Sequence, residues 1–205
     1  MTGVEDQRPR IPLLDVEDMN AEQRRLHDSV VSGPRGQMIG PLRAAIHSPE
    51  LASAWSALGE FLRYRTCLPS RLNELAIIVT GRRWTAQVEW WVHARAAVAA
   101  GLKQEIVDAI AGLESPDFDD EAEFEVYEFT CALQQTGRVP PDTYDAVLRR
   151  WSARGAVELT AVIGYYTMVS QTLNAHQLPL PEGATGLPPE TTLVTLPPGR
   201  RGSAS

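Results

Sequence analysis

Three residues in this chain combine types and spacing that could do chemistry together: Glu74, Glu89 and His93. Glu89 and His93 stand four apart, so on a helix they share one face. If residues 68–101 form two antiparallel helices turning between Arg83 and Trp84, Glu74 comes level with His93 across the pair. Two carboxylates beside one imidazole fix its tautomer and raise its basicity, an arrangement suited to general acid–base catalysis. The same spacing also allows a plain surface pair of Glu89 with His93, with Glu74 salt-bridged to Arg71 or Arg82. Spacing alone does not choose between the two.

The elements that must position these groups are legible around them. Leu68-Pro69-Ser70 reads as a helix start, because Pro is tolerated in a first turn. Leu72, Leu75, Ala76, Ile78 and Val79 then recur at helical spacing. Gly81-Arg82-Arg83 reads as a stop, a Gly followed by cations suited to the negative end of the helix dipole. Thr85 is the expected cap of a second helix running through Val88, Val92, Ala96 and Ala99 to Gly101. Trp90, three residues before His93, is the candidate substrate-binding wall, against a core-packing alternative, whereas Trp91 is expected to pack. Arg63, Arg65, Arg71, Arg82 and Arg83 gather cations near this hairpin. Guanidinium groups could clamp a substrate carboxylate or simply pair with surface acids, and no single Arg stands out.

The rest of the chain frames one all-α domain of about eight helices, with no convincing strand. An arm over 1–17 precedes a helical domain over 18–178, and a Pro/Gly-rich tail over 179–205 should be extended or partly disordered. Asn20 with Gln23 forms a capping box that opens a helix to about Ser32. Ser48 and Pro49 start a helix with Leu51, Trp55, Leu58 and Leu62 on one side. His47 is expected to cap or pack, or else to line a pocket mouth. The acidic run Asp119–Glu125 suits the first turns of a helix and lacks the pattern of a calcium loop. A helix from Pro141 should end at Gly155, before a buried helix over Ala156–Leu173 in which Gly164 admits a close neighbour. Tyr165, Tyr166 and Asn174 could reach the pocket, and His176 should cap the helix end.

A net charge of −7 argues against nucleic acid as a partner. No apolar run reaches bilayer-spanning length and the first residues carry no signal-peptide core, so a cytoplasmic location without membrane partners is expected. Cys67 and Cys131 lie outside metal or redox spacing and read as reduced thiols, with no metal site implied.

The stretch LPSRLNELAIIVTGRRWTAQVEWWVHARAAVAAGL resembles the carboxymuconolactone decarboxylase family, an all-helical group that includes the alkylhydroperoxidase D type of peroxidase. The resemblance rests on Glu74 in Asn-Glu-Leu-Ala, on Glu89-Trp-x-x-His93 and on Ala100-Gly101-Leu102. It extends to Gly40-Pro41-Leu42, His47–Leu51, Gly164–Met168 and Leu173-Asn174, covering roughly residues 10–183. The peroxidase branch carries Cys-x-x-Cys-x-x-x-His; aligned on His93, its cysteines fall on Ala86 and Glu89, so that thiol route is excluded here. The resemblance implies an alkylhydroperoxidase D-like helical bundle and a homo-oligomer, trimer or hexamer.

The expected function is a cofactor-free lyase resembling 4-carboxymuconolactone decarboxylase. It would act on a small carboxylated lactone or keto acid, with His93 as acid/base and Glu89 and Glu74 tuning it. A non-catalytic helical oligomer that binds a small molecule or a protein is the alternative. A peroxiredoxin-like peroxidase is a third reading, resting only on Cys67 or Cys131.

Overall fold

The computed structural model describes residues 8–33, 36–190 and 192–202. The first seven residues of the expected arm and the last three of the tail lie outside them. Among the described residues eight α-helices carry the fold: α1 (Ala21–Ser32), α2 (Leu42–Ala45), α3 (Pro49–Tyr64), α4 (Ser70–Arg83), α5 (Gln87–Ala99), α6 (Gln104–Gly112), α7 (Glu121–Thr136) and α8 (Pro141–Ala175). The all-α architecture matches the sequence expectation. One addition goes beyond it: Asp117–Phe118 (β1) pairs in parallel with Arg200–Arg201 (β2).

Helix α4 is the central element. Residues Leu72 to Arg82 are all buried, because α5, α6, α7 and α8 pack around it. An amphipathic stripe was the expectation, but a helix surrounded on every side needs apolar residues all round. Gly81 lies inside α4 rather than ending it. A Cβ there would sit 3.7 Å from Glu89 Cγ and 3.8 Å from the Trp90 amide nitrogen, ordinary contact distances, so α5 packs directly over this position.

The capping box of α1 forms as expected: Asn20 Oδ1 accepts from the Gln23 amide at 2.9 Å, and Gln23 Oε1 accepts from the Asn20 amide at 3.0 Å. Thr85 does not cap α5. The N-cap is Ala86, and Thr85 takes a left-handed φ of 45° with its hydroxyl accepting from Arg82. Ser48 likewise precedes α3 without a side-chain cap. That helix buries Ala52, Trp55, Gly59 and Leu62 and leaves Leu51 and Leu58 exposed, so its inward stripe is rotated from the expected one.

The break in α8 falls at Ser152 (φ 60°, ψ −175°), before Gly155 rather than at it. Gly155 still matters, because a Cβ there would come within 2.1 Å of Trp151 Cβ. Among the described residues no heavy atom of another element lies within 4 Å of the would-be Cβ of Gly164, so the expected close neighbour is not there.

The tail is extended and packed rather than loose. Leu187, Val194 and Leu196 are buried. Gln87 both donates to and accepts from the Leu187 backbone, Tyr127 Oη donates to Pro197 O at 2.7 Å, and Arg83 donates to Val194 O. The arm is tied down as well. The Arg10 amide donates to His176 O, and His47 Nε2 lies 2.8 Å from Pro12 O.

Candidate active site

The hairpin of α4 and α5 brings Glu74, Glu89 and His93 together inside the protein. All three are buried, at 5 %, 4 % and 4 % exposure. His93 Nδ1 lies 2.6 Å from Glu74 Oε2, a short charge-assisted hydrogen bond. Glu89 Oε1 lies 2.9 Å from His93 Nε2 but off the line a ring N–H would take, and it is buried without a hydrogen-bond partner. Glu74 therefore holds the ring through Nδ1, and Glu89 lies in ion-pair contact with Nε2. The surface-pair reading does not describe this geometry: Arg71 turns to Asp120 and Glu123, and Arg82 to Ala111 O and Thr85.

Burial by itself would drive the His93 imidazolium to give up its proton. The Glu89 charge, then the Glu74 charge, then the contacts with both outweigh that and raise its pKa to about 9. His93 is thus a cation at neutral pH, a stored acid rather than a ready base.

A cavity of about 50 Å³ lies against Glu89 and His93. The loop at Ile39–Pro41, Arg63 from α3, Val88 and Val92 from α5, and Tyr165, Tyr166 and Val169 from α8 complete its wall. Tyr166 meets the His93 ring edge-on, with centroids 5.1 Å apart. Burial first, then the charges of Glu89 and Glu74, hold its phenol well above the usual range, so it stays a hydroxyl donor. Tyr165 and Tyr166, for which packing is the default and the pocket the alternative, both line the cavity. Asn174 does not; it donates to Trp84 O beside another cavity.

Trp90 does not line the His93 cavity. It is 8 % exposed and belongs to the apolar core. At 100° per residue, Trp90 and Val92 flank the Glu89–His93 stripe on opposite sides, and the cavity opens on the Val92 side. Of the five expected cations, Arg63 alone lines the cavity. It has no carboxylate partner among the described residues, and its guanidinium lies 5.4 Å from the Tyr64 ring centroid. Arg65 lies 3.8 Å from Glu60, and Arg83 donates to carbonyls. The Ile39–Pro41 wall escaped sequence reasoning; the sole cue was Gly40-Pro41, with Gly40 at a left-handed φ of 58°.

The remaining titratable clusters are structural. The acidic run is engaged by Lys103, Arg71, Arg201 and Arg150, with Asp119, Asp120, Glu121 and Glu125 respectively. No group of three or more metal-binding side chains occurs among the described residues. Both cysteines are free. Burial pushes the Cys131 thiol up to about 12, and burial with the Glu158 carboxylate raises Cys67, so neither is activated as a thiolate. No helix among the described residues is long and apolar enough to cross a membrane.

By sequence, no family model and no curated protein matches the chain. Solved structures do. A peroxidase-related protein from Ralstonia eutropha JMP134, with an alkylhydroperoxidase AhpD core, superposes with a TM-score of 0.69 at 14 % identity, covering 85 % of this chain and 93 % of that one. The fold is AhpD-like. A peroxidase-related protein from Silicibacter sp. TM1040 gives 0.67 at 14 % identity over the same shares of the two chains. The debrominase Bmp8, solved with 2,3,4-tribromopyrrole, gives 0.59 at 17 % identity, covering 82 % of this chain and 88 % of that one. At such identities the likeness extends to the fold and leaves the reaction open.

Proposed function

We propose that the protein is an acid–base enzyme of the AhpD-like fold, a lyase that decarboxylates a small keto acid or lactone acid. The observation that carries this reading is the buried Glu74–His93–Glu89 triad abutting a cavity that also holds Arg63. A buried ion cluster weakens stability more often than it helps, and one built against a cavity is more simply read as a site.

The chemistry follows from the geometry. Arg63 anchors the substrate in the cavity. As the bond to the leaving carboxylate breaks, its electron pair moves toward the adjacent carbonyl and forms an enolate. The Tyr166 hydroxyl supplies a donor for that oxygen. His93 Nε2, the nitrogen beside Glu89, delivers its proton to the carbanion carbon. Carbon dioxide departs and the product keeps the new C–H bond. Glu74 holds the ring in place through Nδ1, and the neutral imidazole takes up a solvent proton once product leaves, which supplies the one proton that each turnover consumes.

The names of the structural neighbours point toward peroxide chemistry or dehalogenation. A thiol route has no support here, since Ala86 and Glu89 occupy the positions of the cysteine pair and both free thiols are held protonated.

The test is a screen of beta-keto acids and lactones, following carbon dioxide release and ultraviolet absorbance, with His93→Ala and Glu89→Gln alongside the wild type. Turnover that both variants lose at unchanged melting temperature is the expected result. Turnover that survives both substitutions would place the chemistry elsewhere. No turnover in any protein would favour the non-catalytic binding oligomer.

A further inference from the structure

Gly164 admits a close neighbour, and no element among the described residues supplies one. The surface around it is apolar and exposed. Trp55 of α3 meets Tyr165 of α8 edge-on, with ring centroids 6.3 Å apart. On a helix, the residues four before and three after a given position lie together on one flank of it. Beside Trp55 these are Leu51 and Leu58, which are 54 % and 49 % exposed. Beside Tyr165 they are Ala161 and Met168, both exposed. Val157, 67 % exposed, carries the same stripe of α8 one turn further. Single exposed apolar residues are ordinary, but a contiguous group of them marks an interaction surface.

Charge is missing from the α8 side of this face and polarised on the α3 side. From Val157 to Ala175 the only charged residue of α8 is Glu158, and it is buried. The outer face of a solvated helix ordinarily carries charged side chains. On α3 the patch has an acidic start and a basic end. Glu50 is exposed and has no cation partner among the described residues. Arg65 lies 5.5 Å from the Phe61 ring centroid and only loosely, at 3.8 Å, against Glu60. The two helices run in opposite directions, since Cys67 beyond the end of α3 binds Glu158 whereas Trp55 meets Tyr165. The midpoint between Glu50 and Arg65 therefore falls beside Leu58 on α3 and near Gly164 on α8.

We infer that this face docks a second copy of the chain, α3 on α3 and α8 on α8 in opposite directions, about a two-fold axis at the level of Leu58 and Gly164. A self-complementary patch of this kind is what a two-fold dimer requires. The axis brings Glu50 of each copy to Arg65 of the other. On α8 it lays Met168 of one copy over Thr160 and Ala161 of the other, a long side chain over short ones, with the bare backbone of Gly164 at the crossing. A partner of another sequence would have to present the same two charges in reverse order, and a second copy already does.

The experiment is analytical ultracentrifugation of the full chain at micromolar concentrations, with circular dichroism to confirm folding. The wild type should sediment as a dimer. Gly164→Glu should sediment as a monomer with its helicity intact, because no other element meets the added side chain and Gly is a poor helix former. Val98→Glu, which puts the same charge on an exposed apolar position of α5, should remain dimeric. Glu50→Arg and Arg65→Glu should each raise the dimer dissociation constant by about tenfold, since the symmetry breaks the pair twice. The double variant Glu50→Arg/Arg65→Glu should return it to the wild-type value. A monomeric wild type, a dimer that survives Gly164→Glu, an equal loss in Val98→Glu, or a double variant no better than the single ones would overturn the inference.

Discussion

Replacing Glu74 with Gln tests whether His93 is held as a cation by its carboxylates. The His93 pKa rises from 6.5 to about 9 against the cost of burial, through the charges and contacts of Glu89 and Glu74. At 1.36 kcal/mol per unit, that rise corresponds to roughly 3 kcal/mol of folding stability. The folded-state pKa is raised, so this stability is fully present below about pH 6.5 and is lost as pH climbs through about 9. The Glu74→Gln variant would keep the side chain's shape but remove one charge and the 2.6 Å charge-assisted contact. Glu89 would still face the imidazolium, so no buried cation is orphaned. The cost at pH 6.5 should then be that of one charged hydrogen bond, roughly 1.5–3 kcal/mol, and the His93 pKa should drop by roughly 1–2 units. The assay is nitrogen-15 resonance of the histidine rings from pH 5 to 10, paired with urea unfolding at pH 6.5 and 9. The wild type should show an imidazolium at pH 7 and should destabilise across that window, and the variant should titrate earlier with a shallower decline. A neutral His93 at pH 7 in the wild type, or an unmoved titration in Glu74→Gln, would refute the reasoning.

Four further outcomes follow from packing and backbone geometry. Gly81→Ala should be neutral or stabilising by up to about 1 kcal/mol, since its Cβ meets only ordinary contacts at 3.7 Å and helical Gly is costly; Gly81→Leu should destabilise by roughly 1–3 kcal/mol and lower the His93 pKa by forcing α5 outward, both read by thermal melting and the same ring titration. Ser152→Gly should raise stability by about 1 kcal/mol in urea unfolding, because φ 60° with ψ −175° is a region that Gly occupies without strain. Truncation after Gly183 exposes the surface now covered by Leu187, Val194 and Leu196; at roughly 1.5–3 kcal/mol for each buried side chain, the midpoint should fall sharply, and an unchanged midpoint would mean the tail does not pack in solution.

Much was determined locally and was therefore legible. The α1 capping box, the Pro start of α8 and the acidic first turn of α7 depend on neighbours within a turn. The triad itself belongs to this class. Once residues 68–101 form an antiparallel hairpin, the spacing of Glu74, Glu89 and His93 leaves little freedom, and the protein places them in contact. What tertiary structure alone decided was which flank of that stripe is open. Trp90 and Val92 are equivalent by periodicity, and only the packing of α8 and the Ile39–Pro41 loop on the Val92 side put Trp90 in the core. The same holds for the cations. Five arginines looked alike in sequence. Arg65 turns back to Glu60 on its own helix, but the groups that engage Arg71, Arg82 and Arg83 come mainly from helices and loops remote in the chain, which leaves Arg63 for the cavity. The tail follows this rule too. Its Pro/Gly content signals a chain without regular structure, but whether such a segment stays loose depends on apolar surface waiting elsewhere, here on α4, α5 and α7, which no local pattern records.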